Sequence, residues 1–232
     1  MLGIIGAMDE EVARLKEQME DAQVQTWAGM EFYRGRINGK EAVVVRSGIG
    51  KVNAAVCAQI LADRYEVSAI VNTGIAGSLD GKIDIGDIVL STDALQHDMD
   101  ATNFGYPLGQ IPRMEVLSFQ ADRRLLELAR ACCREVNPDI HVYEGRVVSG
   151  DQFVSSQEKK EWLIRNFKGS CTEMEGAAIA QAAYLNGIPF LIIRAISDKA
   201  DNSATMDYPA FEAQAIAHSV NLMLEMIRHY EA

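Results

Sequence analysis

Leu2-Gly3-Ile4-Ile5-Gly6-Ala7, followed at once by Met8-Asp9-Glu10-Glu11-Val12-Ala13-Arg14-Leu15, is the stretch that decides the fold class. The apolar run reads as a buried strand, and Glu10 to Glu20 as the amphipathic helix after it. The same alternation recurs nearly to the end of the chain, the pattern of a sheet covered by helices. Strands are predicted over residues 30–37 and 41–47, around Asn38-Gly39, the strongest hairpin signal present. Further strands are predicted over 69–73, 87–94, 143–149 and 190–196. Helices are predicted over 51–65, 122–136, 175–186 and 208–230. The last-but-one is closed by Gly187 and Pro189. Residues 97–114 carry Gly, Pro and Tyr without periodicity and read as a long functional loop or lid. No linker, repeat or low-complexity tract divides the chain. The expectation is a single α/β domain over residues 1–232, a mixed sheet flanked by helices.

Composition narrows the function. Hydrophobic residues make up 48% of the 232 and charged residues 24%, the balance of a packed globular protein. Lys and Arg number 22 against 33 Asp and Glu, a net charge of −11. Such a surface repels phosphate backbones and anionic lipid, so neither nucleic acid nor membrane is an expected partner. Cys57, Cys132, Cys133 and Cys171 show no metal spacing, and the four histidines are scattered singly. Buried reduced thiols, no metal and no cofactor are expected. With no secretory signal pattern at the start, the expected location is cytoplasmic.

Two nucleotide-binding motifs fail on inspection. Gly3-Ile4-Ile5-Gly6-Ala7-Met8 lacks the glycine spacing of a dinucleotide site. Ser47-Gly48-Ile49-Gly50-Lys51-Val52 looks faintly like a phosphate loop. However, Val45 replaces its first glycine and Val52 its magnesium-binding hydroxyl.

Carboxylates beside glycines at strand and helix ends are more informative, because ligands of open α/β sheets bind at the carboxyl ends of the strands. Three clusters qualify: Asp9-Glu10-Glu11, Glu173-Met174-Glu175, and Arg194-Ala195-Ile196-Ser197-Asp198. Helix-dipole stabilisation of about 0.3–1 kcal/mol is enough to account for acidic residues in a first helical turn. It does not account for Asp198, which follows an apolar strand and faces desolvation. Together the three clusters suggest acid, base and sugar-binding roles.

These clusters, with Ser47-Gly48-Ile49-Gly50-Lys51, Asn72-Thr73-Gly74 and Ser149-Gly150-Asp151, occur in an order and spacing that resembles one enzyme family along essentially the whole length. That family is the 5′-methylthioadenosine/S-adenosylhomocysteine nucleosidases, of the nucleoside phosphorylase fold. Glu-Met-Glu is shared widely within the fold. Gly6-Ala7-Met8 followed by acids is the more specific element.

The resemblance implies hydrolysis of an N-glycosidic bond with release of adenine. By resemblance, Asp198 is the general acid toward adenine N7 and Glu11 accepts a proton from the attacking water. Glu175 accepts hydrogen bonds from the ribose 2′- and 3′-hydroxyls. Acid and base on opposite faces of the sugar imply inversion at C1′. Adenine is expected near Phe153, with its edge read by backbone around Val154. Met174, Ile49 and Tyr208 are expected around the sugar and 5′ substituent, and Glu173, Gly77, Arg194 and Ser197 complete the substrate-binding set. Phe104 and Pro112 are expected to wall the 5′ pocket of a neighbouring subunit in a homodimer. Ile75 departs from the family, which often has Ser or Thr there, and is left out of the expected site.

Two rivals of the same fold remain at this stage. A phosphorylase would need cationic donors in the first strand-to-helix turn, where this chain is acidic and Arg14 comes only inside the helix. An aminodeoxyfutalosine nucleosidase would have a similar site. A noncatalytic nucleoside-binding protein, from a different functional class, would need neither Glu11 nor Asp198. The resemblance leaves open whether the cellular role is methionine salvage, relief of methylation product inhibition or supply of a quorum-signal precursor.

Overall fold

The structure, a computed structural model, describes residues 1–231; Ala232, the last residue of the expected domain, lies outside them. The chain opens with strand β1 (Leu2–Gly6) and helix α1 (Asp9–Glu17). Next come β2 (Glu20–Trp27), β3 (Met30–Ile37), β4 (Lys40–Arg46) and α2 (Lys51–Tyr65). β5 (Ala69–Ser78) and β6 (Ile88–Gln96) lead through an irregular segment, with one 3₁₀ turn at Thr102–Phe104, to β7 (Phe119–Gln120). The remainder is α3 (Arg123–Val136), β8 (Val142–Ser149), α4 (Gln157–Phe167), β9 (Cys171–Glu173), α5 (Gly176–Asn186), β10 (Phe190–Asp198) and α6 (Ala204–His229).

All these strands join one sheet, so the α/β expectation holds. β5 pairs with β1 and β10 in parallel and with β9 antiparallel. β10 continues to β6, β6 to β8, and β8 back to β9. Five strands therefore close a ring, and β1, β4, β3 and β2 extend from it as an open sheet. Along β1, alternate side chains divide between two cores. Ile5 packs with α2 and α5 on one face, while Leu2 and Ile4 pack with α1, α3 and α6 on the other. A strand covered on both faces has no polar alternation, which explains its unbroken apolar reading. The four cysteines are free and buried.

Several boundaries depart from expectation. α1 stops at Glu17, and Glu20 begins β2 rather than ending the helix. β2 is exposed along nearly its whole length and is held only by pairing with β3. It therefore carries no buried-face pattern. Asn38 (φ 51°) and Gly39 (φ 75°) form the expected tight turn. β5 does not stop at Thr73: it runs on through Gly74-Ile75-Ala76-Gly77, paired residue by residue with β10. The glycines there are clearances rather than turns. A Cβ on Gly74 would collide with the Glu11 carboxylate, and one on Gly77 would lie 2.8 Å from Asp198 Oδ1. α4 and β9 were not foreseen.

Asp122 caps α3, accepting a hydrogen bond from the Leu125 amide at 3.0 Å. Asp122→Ala is expected to cost about 1 kcal/mol. A thermal scan should then show a midpoint about 2–4 °C lower, with activity unchanged because α3 packs away from the cavity described next.

Candidate active site

The carboxyl ends of β1, β5, β9 and β10 enclose a cavity of about 260 Å³. This is the placement expected of a ligand site in such sheets. Glu11, Gly77, Glu173, Met174, Glu175, Ser197, Asp198, Tyr208, Phe153 and Ile49 all line it. Val154 lines a smaller adjoining space shared with Phe153 and Asp198. The walls are mostly apolar, and no Lys or Arg side chain reaches them.

Glu11 sits in the first turn of α1, and its side chain turns back over the end of β1. Its Oε2 accepts from the amides of Ala7 (2.7 Å) and Met8 (3.0 Å), and its Oε1 from that of Ile75 (3.1 Å). Burial pushes its carboxyl above the ordinary range, against the pull of the Arg194 charge and these three amides.

Asp198 ends β10, opposite Gly77 in register. The Ala200 amide donates to its Oδ1 (2.7 Å) and the Ser197 hydroxyl to its Oδ2 (2.9 Å). Burial nevertheless holds its pKa above the usual carboxylate value, and the nearby Asp207 and Asp201 charges add to this. The anchors of Glu11 and Asp198 on β5, Ile75 and Gly77, are two residues apart. At the rise of an extended strand this is about 7 Å.

Glu175 stands at the N-cap position of α5 without a side-chain capping bond, and its Oε1 instead accepts from the Gly50 amide at 2.8 Å. Burial first, then the neighbouring Glu173 charge, raises its pKa to about 7. Glu173 behaves oppositely. Although burial favours its neutral form, the Arg194 charge and its hydrogen bonds take its pKa below the ordinary value.

Of two expected substrate contacts, Arg194 is corrected here and Glu173 keeps its place on the wall. Arg194 is 1% exposed and does not line the cavity. Its guanidinium is spent on Glu173, Asn72 Oδ1 and the Ile193 carbonyl. Glu173 touches the cavity wall, but its oxygens already accept from Arg194, Ser149 Oγ and the amides of Glu175 and Gly176. Both support the site from beneath. Phe104 (84% exposed) and Pro112 lie on the surface, outside this chain's cavity.

Ala7, Met8, Ile75, Ala76 and Thr172 also line the cavity and are not among the expected site residues. Ala7, Met8 and Ile75 act on Glu11 through backbone amides, which side-chain identity does not signal. Arg14 hydrogen-bonds Asn221 on the protein surface and brings no cation to the site.

Arg194→Met removes the partner of a buried carboxylate, which typically costs about 3–5 kcal/mol. Urea unfolding at neutral pH should show that loss. The deficit should shrink as pH falls toward about 5, because the unpaired Glu173 then escapes its charge by taking a proton. A loss below about 1 kcal/mol would contradict the pairing.

The comparisons with known proteins agree with this geometry. A family profile described as the phosphorylase superfamily matches residues 1–228. The 5′-methylthioadenosine/S-adenosylhomocysteine nucleosidase of Shewanella loihica is 40% identical over 229 residues, covering 98% of this chain and 99% of its own. The crystal structure of the enzyme of that name from Neisseria meningitidis, in complex with methylthio-immucillin-A, superposes with a TM-score of 0.95. It is 37% identical and covers 99% of both chains. The futalosine hydrolase of Helicobacter pylori superposes at 0.93, is 34% identical, and covers 99% of this chain and 97% of its own. With a matching sheet, full-length identity well above that of mere shared fold, and a cavity lined by four carboxylates, the chain belongs to the 5′-methylthioadenosine/S-adenosylhomocysteine nucleosidase family of the phosphorylase superfamily.

Proposed function

We propose that this protein is an N-glycosyl hydrolase that cleaves 5′-methylthioadenosine and S-adenosylhomocysteine, and also 5′-deoxyadenosine, to adenine and the corresponding sugar. The observation that carries the reading is the lining of the cavity: Glu11, Glu175 and Asp198 border it beside the ion-paired Glu173, and among the described residues no cationic side chain does. A phosphorylase must hold a phosphate dianion beside C1′, and three carboxylates repel one. Water is the nucleophile such a site accommodates.

The division of labour follows from the environments. Asp198, whose carboxyl burial biases toward the neutral form, gives a proton to adenine N7 as the C1′–N9 bond breaks and the bonding electrons pass to the purine. Ser197 orients that carboxyl. Glu175 accepts the ribose hydroxyls and places negative charge beside the developing oxocarbenium ion. Glu11, aimed by three amides, takes a proton from the water that attacks C1′. Phe153 offers a ring face to the base, and the backbone near Val154 reads its edge. Met174, Ile49 and Tyr208 contact the sugar and 5′ substituent. Residues 1–232 work as one unit, since both helical layers and the sheet serve one cavity. The exposed Phe104 and an apolar groove along α2 and α5 that includes Val52 and Leu185 support a homodimer in which Phe104 and Pro112 wall the partner's 5′ pocket. No helix among the described residues is long and apolar enough to cross a membrane. The likeness to the Helicobacter pylori futalosine hydrolase makes aminodeoxyfutalosine the second substrate to assay.

Adenine release from 5′-methylthioadenosine, followed with and without phosphate, tests the reading. Equal rates and methylthioribose as the sugar product are expected; a phosphate requirement and a sugar 1-phosphate would refute hydrolysis. Glu11→Gln and Asp198→Asn should each lower kcat by about 10²–10⁴-fold while ligand binding persists. Because Glu175 acts as a carboxylate, kcat/KM should rise with pH through about 7.

A further inference from the structure

The lysine of the failed phosphate-loop motif has a different use. Lys51 is the first residue of α2, and Gly50 before it has no side chain to cap the helix. The orphan amide of Lys51 is instead satisfied from 100 residues away, by Asp151 Oδ1 at 2.8 Å. Asp151 in turn donates its own amide to Asp98 Oδ2 at 3.0 Å. Asp98 Oδ1 accepts from the Lys51 ammonium at 2.6 Å, which closes a ring of three residues. Gln96 Oε1 takes a second bond from that ammonium (3.0 Å), and its amide nitrogen reaches Gln181 on α5 (2.6 Å). The Lys51 ammonium is thus committed and is not offered to a phosphate.

This ring sits one residue from the active site on one side and two on the other. Immediately before Lys51, the Gly50 amide donates to Glu175 Oε1. Two residues after Asp151 stands Phe153, at the mouth of the cavity. Gly50 holds φ +97°, and a Cβ on it would lie 3.2 Å from Asp151 Oδ1, so the close approach of the two loops requires glycine. The carboxyl of Asp98 is mostly shielded from water. Burial works against its charge, but Lys51 and the Asp151 amide outweigh that and hold it below the usual carboxylate range.

We propose that Asp98 is a positioning residue for hydrolysis: by locking Lys51 to Asp151 it aims the Gly50 amide at Glu175 and fixes the loop that carries Phe153. The inference rests on the ribose-binding role proposed for Glu175. The other charged groups that face Glu175 are Glu173 from β9, Arg194 from β10 and Glu11 from α1. None of them belongs to the ring, so a change in the ring reaches Glu175 through the amide.

The double variant Asp98→Ala/Lys51→Met removes the ion pair at constant net charge. Its kcat/KM for 5′-methylthioadenosine, measured from pH 5 to 9, should keep the acidic limb but move it up by about 0.5–1 unit. That is a loss of about three- to tenfold below the limb, with recovery above it. Asp151→Ala is the second variant. It deletes a negative charge, which alone would move the limb down, so an upward shift reports the misaimed amide. Folded variants whose limb coincides with that of the wild type, or whose activity falls equally at every pH, would overturn the proposal. A wild-type protein that releases no adenine would instead overturn the hydrolase reading itself.

Discussion

The guanidinium of Arg194, closed off from solvent beneath the cavity, is the charge on which the rest of the site depends. Three glutamates converge above it, a gathering that mutual repulsion would forbid without a fixed counter-charge. Arg194 neutralises Glu173 outright and lowers the cost of ionising Glu11 and Glu175. The pair does not stand alone. Glu173 also receives Ser149 Oγ and the first amides of α5, while Asn72 takes up another guanidinium hydrogen. A buried ion pair is a poor source of net stability, but this one, with both terminal guanidinium nitrogens bonded and only Nε unpartnered, makes a rigid platform. Here that platform fixes the junction of β9 and α5, where Glu175 begins.

The ring of strands then determines which carboxylate does what. β5 and β10 run side by side through Gly74–Gly77 and Arg194–Asp198. Gly74 and Gly77 of β5 leave room for Glu11 and Asp198 to approach the backbone from separate directions. Glu11 is held by three amides and Asp198 by one amide and one hydroxyl. More donors favour the charged form. Burial raises both carboxyls, so it is the donor count, three against two, that suits Glu11 to a base and Asp198 to an acid.

Much of this was legible in the sequence. α2, read from its alanine-rich composition, and β3, read beside the Asn38-Gly39 turn signal, matched to the residue. Elements without a burial pattern did not. β2 is an exposed edge strand, β9 has three residues, and α4 was missed although Ser156 caps it and Trp162, Leu163 and Phe167 follow at helical spacing. The site showed the same division. Acidic side chains next to glycines were visible, whereas the amides of Ala7, Met8, Ile75 and Gly50 were not, because any residue supplies an amide. Arg194 was misread as a ligand contact because charge was visible and burial was not. Ile75 was set aside for lacking a hydroxyl, yet it contributes through its backbone.

The most direct test of the account is the anomeric form of the first sugar released. It follows from water arriving on the Glu11 side while adenine departs on the Asp198 side. A proton NMR time course with 5′-methylthioadenosine, begun within seconds of mixing, should show the α anomer of methylthioribose before mutarotation scrambles it. Initial appearance of the β anomer would mean retention, and would contradict direct attack by a water held at Glu11.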